Sequence, residues 1–332
     1  MVQRRNSQRL HILAIDGGGI RGIIPAMVLA ELERRTGQPV CRLFDLIAGT
    51  STGAILALAL AKPGPDGQPH YSAEQMVRFY ETEGPRIFRR PLLARLFAAR
   101  WLAEEKYPAA GLEAALGRCF GETPLRQALC DVVVTSYETE RRFPFFFKSR
   151  HARLRPDYDF PMRLVARAAC AAPTYFEPLR LFTDGPREYY SLIDGGVYAN
   201  NPALCAYAEA RVAWPECGEV LLVSLGTGEL TQPLLYSQAR RWGLAGWARR
   251  ILQVVQDGVS ATVDYQLQQL LPAPAGGPQR YWRFQVRLKR GNEPLDNVQP
   301  ENLRELKLLA EALIRDRTAE LDHLCRTLAS GS

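Results

Sequence analysis

Leu43-Phe44-Asp45-Leu46-Ile47-Ala48-Gly49-Thr50-Ser51-Thr52-Gly53-Ala54-Ile55-Leu56-Ala57-Leu58-Ala59-Leu60 is the stretch that decides how this chain reads. An apolar run of strand length leads into Gly49-Thr50-Ser51-Thr52-Gly53, and a helix-forming run leads out of it. A strand, a sharp turn and a helix are implied, with Ser51 at the apex. A serine hydroxyl is a poor nucleophile until a strained turn presents it and a base activates it. Gly49 and Gly53 let the backbone turn tightly with no Cβ in the way. Ordinary turns also use glycine and serine, so the surrounding chain must say which kind this is.

Upstream, Leu10-His11-Ile12-Leu13-Ala14-Ile15 reads as a buried strand and Met27 to Glu33 as part of a helix. Between them stands Asp16-Gly17-Gly18-Gly19-Ile20-Arg21-Gly22. Such a turn leaves backbone N–H groups free to face an anion beside the positive end of a helix. Gly17, Gly19 and Gly22 match the dinucleotide pattern G-x-G-x-x-G, which also expects an acidic residue about 20 residues further on at the end of a second strand. Here the second strand delivers the serine turn instead. The other anion that fits is the oxyanion formed when a serine attacks a carbonyl, which needs about two fixed N–H donors.

Downstream, the loop Lys62 to His70 ends the serine helix, and residues 72–130 read as helical around Glu74–Tyr80 and Ala109–Phe120. Asp131–Tyr137 and Phe143–Phe147 read as strands joined by a charged turn, Met162–Ala172 as helix, and Glu219–Leu225 as a strand ending in Gly226-Thr227-Gly228. Tyr281–Leu288 reads as a last strand and Pro300 to about Leu328 as a closing helix. Alternating strands and helices with near-continuous apolar strands predict an α/β fold around a parallel-dominated sheet covered on both faces. Residues 1–9 read as a basic tail and 10–329 as a single domain.

The chain has 332 residues, 47% of them hydrophobic and 23% charged, which excludes disorder. No run approaches the roughly 18 apolar residues of a membrane span, and the basic start lacks the apolar core of a secretory signal, so a cytoplasmic location is expected. Seven cysteines with no Cys-x-x-Cys pair fit free thiols in a reducing compartment. The formal charge of +7 is a mild excess that permits attraction to an anionic membrane surface or to nucleic acid and demonstrates neither.

A base for Ser51 is the next requirement. His11 lies within a strand, His70 in a polar loop, His151 in a basic turn and His323 in the closing helix, none of them at a strand end beside glycine. Ser191-Leu192-Ile193-Asp194-Gly195-Gly196-Val197 instead sets Asp194 after a short apolar run and before two glycines. Taken alone, Asp194 reads first as an aspartate bonding within its own turn, which Asp-Gly sequences often contain.

The glycine loop, the serine turn and the Asp-Gly-Gly turn, in this order, resemble the patatin-like phospholipase family, nearest to plant patatins and their bacterial relatives. Ala172-Pro173-Thr174-Tyr175-Phe176 and Ser224-Leu225-Gly226-Thr227-Gly228 are similar to further segments of that family. The resemblance runs from about Leu10 to the closing helix and implies a three-layer α/β/α fold. It also implies a lipid acyl hydrolase without cofactor or metal, in which Ser51 is the nucleophile and Asp194 the base of a dyad without histidine. Gly17, Gly18 and Gly19 would form the oxyanion hole, with Arg21, Gly22, Gly49, Gly53, Gly195 and Gly196 supporting the motifs. The implied partner is a phospholipid or other acyl lipid, met at a peripheral membrane surface; no nucleic acid is expected. A cyclic-nucleotide activator, as in some bacterial relatives, is compatible with the charge, but no residue here identifies its pocket. A non-catalytic storage or binding protein of the same fold and a dinucleotide-dependent oxidoreductase are the competing readings.

Two further segments carry paired readings. Arg240 to Ile251, with Trp242 and Trp247 among its arginines, fits either a lipid interface or a surface helix packed on the sheet. Phe143, Phe145, Phe146 and Phe147 fit either an acyl pocket or a core strand.

Overall fold

In strand β1 (Arg9–Ile15) Leu10, Ile12 and Ala14 face one side of a sheet and Leu13 and Ile15 the other, all of them buried. A strand apolar on both faces needs a layer on each. The computed structural model describes residues 9–89, 105–183, 188–230, 232–243, 246–247, 250–274, 277, 279–289 and 291–330, and it supplies both layers. Residues 90–104 of the expected helical region and residues 1–8 of the expected tail lie outside the described residues.

Strands β2 (Leu46–Gly49) and β3 (Asp131–Glu138) extend the sheet in parallel from one side of β1. β4 (Phe143–Lys148) turns back antiparallel on β3, and β5 (Leu179–Phe182) and β6 (Tyr189–Asp194) complete that side, β6 pairing antiparallel with both β3 and β5. β7 (Glu219–Leu225) lies parallel on the other side of β1. β8 (Glu229–Leu230) leaves the sheet, β9 (Tyr281–Phe284) lies parallel to β7, and β10 (Arg287–Leu288) pairs with β8. Among the described residues the sheet therefore has eight strands, ordered β5-β6-β3-β2-β1-β7-β9 with β4 beside β3.

One face of the sheet carries the larger apolar core, built with helices Ile23–Thr36, Thr52–Ala61, Ala73–Ile87, Ala109–Phe120, Met162–Ala169, Pro300–Asp316 and Thr318–Ser330. Helices Ala203–Ala213 and Ile251–Leu270 cover the other. Every residue of Thr52–Ala61 is buried, which explains why that helix is apolar all round.

The mostly parallel α/β sheet expected from the sequence is present, with differences at its edges. The strand before Ser51 starts at Leu46, because Val40–Leu43 forms a helical turn and Phe44 leads out of it. Tyr281–Leu288 divides into β9 and β10, and the closing helix breaks at Arg317. Helix Ile251–Leu270 and strand β5 were not anticipated.

Candidate active site

Ser51 follows β2 and caps helix Thr52–Ala61 with φ 54° and ψ −121°. A side chain in that region costs about 1–3 kcal/mol and persists only where its surroundings over-determine it. Here they do. A Cβ at Gly49 would lie 2.2 Å from the Gly53 carbonyl oxygen, and one at Gly53 would lie 2.2 Å from that of Ile15. The turn is thus wedged against β1. Thr50 Oγ1 fixes it from the other side, bonding to Thr135 Oγ1 at 2.6 Å and to the Ala199 carbonyl at 2.7 Å.

Asp194 ends β6, where the antiparallel register sets it opposite Ser136, and its N–H donates to the Ala171 carbonyl at 3.0 Å. Gly195 packs so closely on Thr135 that a Cβ would meet Oγ1 at 2.3 Å. One threonine on β3 therefore positions both the serine turn and the aspartate turn, a role no local pattern marked. Asp194 is 4% exposed, and burial pushes its carboxyl up to about 6 against the opposing influence of the Ser51 hydroxyl and the Gly196 N–H. The latter donates to Asp194 Oδ1 at 2.7 Å. Ser51 and Asp194 line one cavity.

The glycine loop behaves differently at each position. The Gly17 N–H donates to the Asn200 carbonyl at 3.0 Å and Gly17 does not line the cavity, which corrects its expected place in an oxyanion hole. Gly18 and Gly19 do line it, and their N–H groups meet no acceptor among the described residues. Gly19 has φ 57°, and a Cβ there would lie 2.2 Å from the Leu295 carbonyl oxygen. Thr52, at the first position of its helix, also lines the cavity; its N–H is one of those that a helix start leaves without an intrahelical partner. Gly22 closes the loop against Thr52, whose Oγ1 would meet a Cβ at 2.4 Å.

Two charges of the loop have separate fates. Asp16, fully buried, is clamped by Arg283 of β9 through bonds of 3.0 and 2.6 Å, and Arg283 also bonds Ser224 Oγ at 2.8 Å. Arg21 is 9% exposed, lines the cavity and donates through Nε to the Gly18 carbonyl at 3.3 Å. No carboxylate among the described residues pairs with it, and burial lowers its guanidinium to about 10, partly offset by Asp257.

The cavity is about 900 Å³. Its apolar side comes from Ile55, Phe79, Ile87, Phe88, Leu112 and Phe176, and no histidine is among its lining residues. Phe143, Phe145, Phe146 and Phe147 do not line it; Phe145 and Phe147 are core. Cys170, also on the wall, escaped the sequence reading; burial pushes its thiol up, so it stays protonated beside Ser51. No group of three metal-ligating side chains occurs among the described residues. From the segment Arg240 to Ile251, Leu244, Ala245, Ala248 and Arg249 lie outside the described residues, and the rest is mostly exposed rather than packed on the sheet.

The patatin-like phospholipase family model matches residues 13–207. Patatin-like protein 1 of Oryza sativa subsp. indica is 32% identical, over 95% of this chain and 83% of its own length. Patatin-like protein 4 of Arabidopsis thaliana is 30% identical, over 91% and 82%. The probable inactive patatin-3-Kuras 1 of Solanum tuberosum is 29% identical, over 94% and 88%.

Proposed function

Because the chain belongs to the patatin-like phospholipase family, we propose that it is a lipid acyl hydrolase working through a dyad of Ser51 and Asp194. The observation that carries this reading is a buried carboxylate, its proton affinity raised, sharing a cavity without histidine with a serine on a strained turn. Asp194 takes the Ser51 proton as Oγ attacks the ester carbonyl. The oxyanion meets the N–H groups of Gly18 and Gly19, with Thr52 N–H alongside at the helix start. Collapse expels the alcohol, which leaves with the proton held by Asp194 and gives an acyl-serine. Water, deprotonated by Asp194, then releases the fatty acid and restores Ser51.

The apolar wall accommodates an acyl chain, and the Arg21 guanidinium offers a cation to a headgroup phosphate. Residues 10–329 act as one catalytic unit in this reading. Seven free cysteines suit a reducing cytoplasm, and no helix among the described residues is long and apolar enough to cross a membrane. The lipid is then met at the surface of a membrane.

Ser51→Ala should abolish release of fatty acid from phospholipid and nitrophenyl esters, and a fluorophosphonate probe should label Ser51 alone. Labelling elsewhere, or turnover retained in the alanine variant, would remove Ser51 from the mechanism. A storage or binding protein is the second reading, favoured by the relative named as probably inactive; Ser51 and Asp194 are both present here, and the same assay decides it.

A further inference from the structure

Helix Ile251–Leu270 has two unlike halves. Its C-terminal half is seated, with Val263 and Leu267 buried in the core over β1 and β7. At its start Ile251, Leu252, Gln253, Val254 and Val255 are all exposed. Consecutive helical residues are spaced around the whole axis, so every side of the first turn is partly open to solvent. A soluble helix start is polar on its open side. This one is apolar.

The chain leading into it has the same character. Leu234, Leu235, Tyr236, Trp247, Ile251 and Val255 are between 39% and 79% exposed. Between Glu229 and Asp257 the sequence has four arginines and no acidic residue, against +7 for the whole chain. Trp242 and Trp247 meet edge to face at 5.4 Å, with the Arg250 guanidinium 4.2 Å over the Trp242 ring. Arg240, Arg241 and Arg250 pair with no carboxylate among the described residues. Leu252, Gln253 and Gln256 line the cavity that holds Ser51, so this surface continues into its mouth.

We propose that residues 234–243, 246–247 and 250–255 form the surface by which the protein docks on an anionic lipid bilayer, placing the cavity mouth against the headgroups. The inference rests on the lipid acyl hydrolase reading for its purpose but not for its test. Tryptophan at headgroup level, aliphatic side chains just below it and unpaired arginines toward anionic lipid are the recognised ingredients of interfacial attachment. A second copy of the chain is the weaker occupant, since Arg240, Arg241 and Arg250 facing their own copies would repel.

The experiment uses full-length protein carrying Ser51→Ala, so that binding is read without turnover, in co-sedimentation with vesicles of phosphatidylcholine alone or mixed with phosphatidylglycerol. Binding to the mixed vesicles should exceed that to phosphatidylcholine and weaken with salt. Arg240→Glu with Arg241→Glu should weaken it by roughly 25-fold or more. Leu235→Gln with Val255→Gln should weaken it by roughly tenfold. None of these four residues lines the cavity, so in the Ser51 background each pair should retain the melting temperature and the hydrolysis of a soluble monomeric ester. Absence of binding to mixed vesicles, equal binding by folded variants, or a dimer that Leu235→Gln with Val255→Gln turns into monomer would overturn the proposal. Vesicle binding by a protein that keeps Ser51 yet hydrolyses no ester would overturn the hydrolase reading instead.

Discussion

Ser51 and Asp194 reach the same cavity from unlike surroundings. Ser51 follows a parallel strand beside the centre of the sheet, on backbone held at φ 54° by two glycines that admit no Cβ. Asp194 ends an antiparallel strand toward the sheet's edge, and its own strain lies in a carboxylate kept from water. One residue is held in an unfavourable shape, the other in an unfavourable charge state. The first cost is the same at every pH, whereas the second vanishes once the group is protonated.

Four measurements would break or sharpen that contrast. The largest effect is on turnover: Asp194→Asn should lower kcat by roughly four orders of magnitude, as loss of one member of a catalytic unit does. A fall of less than about tenfold would mean the carboxylate is not the base. Next is the pH profile. With its carboxyl raised to about 6, Asp194 is ionised and able to accept a proton only above that pH. The value of kcat/KM should therefore fall about tenfold per unit below about pH 6 and level off above it. An acid limb near pH 4 would contradict the raised affinity.

The third effect is on stability. A carboxyl that holds its proton up to about 6 when folded, but only to 3.8 when unfolded, destabilises the fold as pH rises through that window. Asp194→Asn should then be more stable than wild type by up to about 3 kcal/mol at pH 8, and no more stable at pH 4, as urea melts at the two pH values would show. An equal gain at both would move the strain from charge to shape. The smallest effect belongs to Ser51. Ser51→Gly should exceed Ser51→Ala in stability by about 1 kcal/mol at either pH, since only glycine relieves the backbone. No difference between the two would show that the turn is relaxed.

The same contrast explains what could be read from the residues. The serine turn was legible because its cause is local: a strand, a helix and two glycines within the sixteen residues from Leu46 to Ala61. Asp194 became legible only through the family likeness, because its burial comes from β3, β6 and the turn after them rather than from Asp-Gly-Gly itself. Thr135, which positions both turns, looks like any other residue of an apolar strand. Phe79, Phe88 and Phe176 lie far apart in sequence and meet only in the folded cavity, while the conspicuous phenylalanines of β4 went to the core. The glycine loop was read as three equivalent donors, but tertiary contact with Asn200 takes the first of them.

The clamp of Arg283 on Asp16 bears on where this chain can be cut. The family model ends at residue 207, yet β1 pairs along its whole length with β7, and the loop that follows β1 is neutralised from β9. A fragment stopping at 207 would turn a central strand into a raw edge and leave a buried aspartate without its counter-ion. The recognisable motif region is therefore shorter than the smallest piece that would hold its own glycine loop, and expression boundaries should be drawn beyond Phe284.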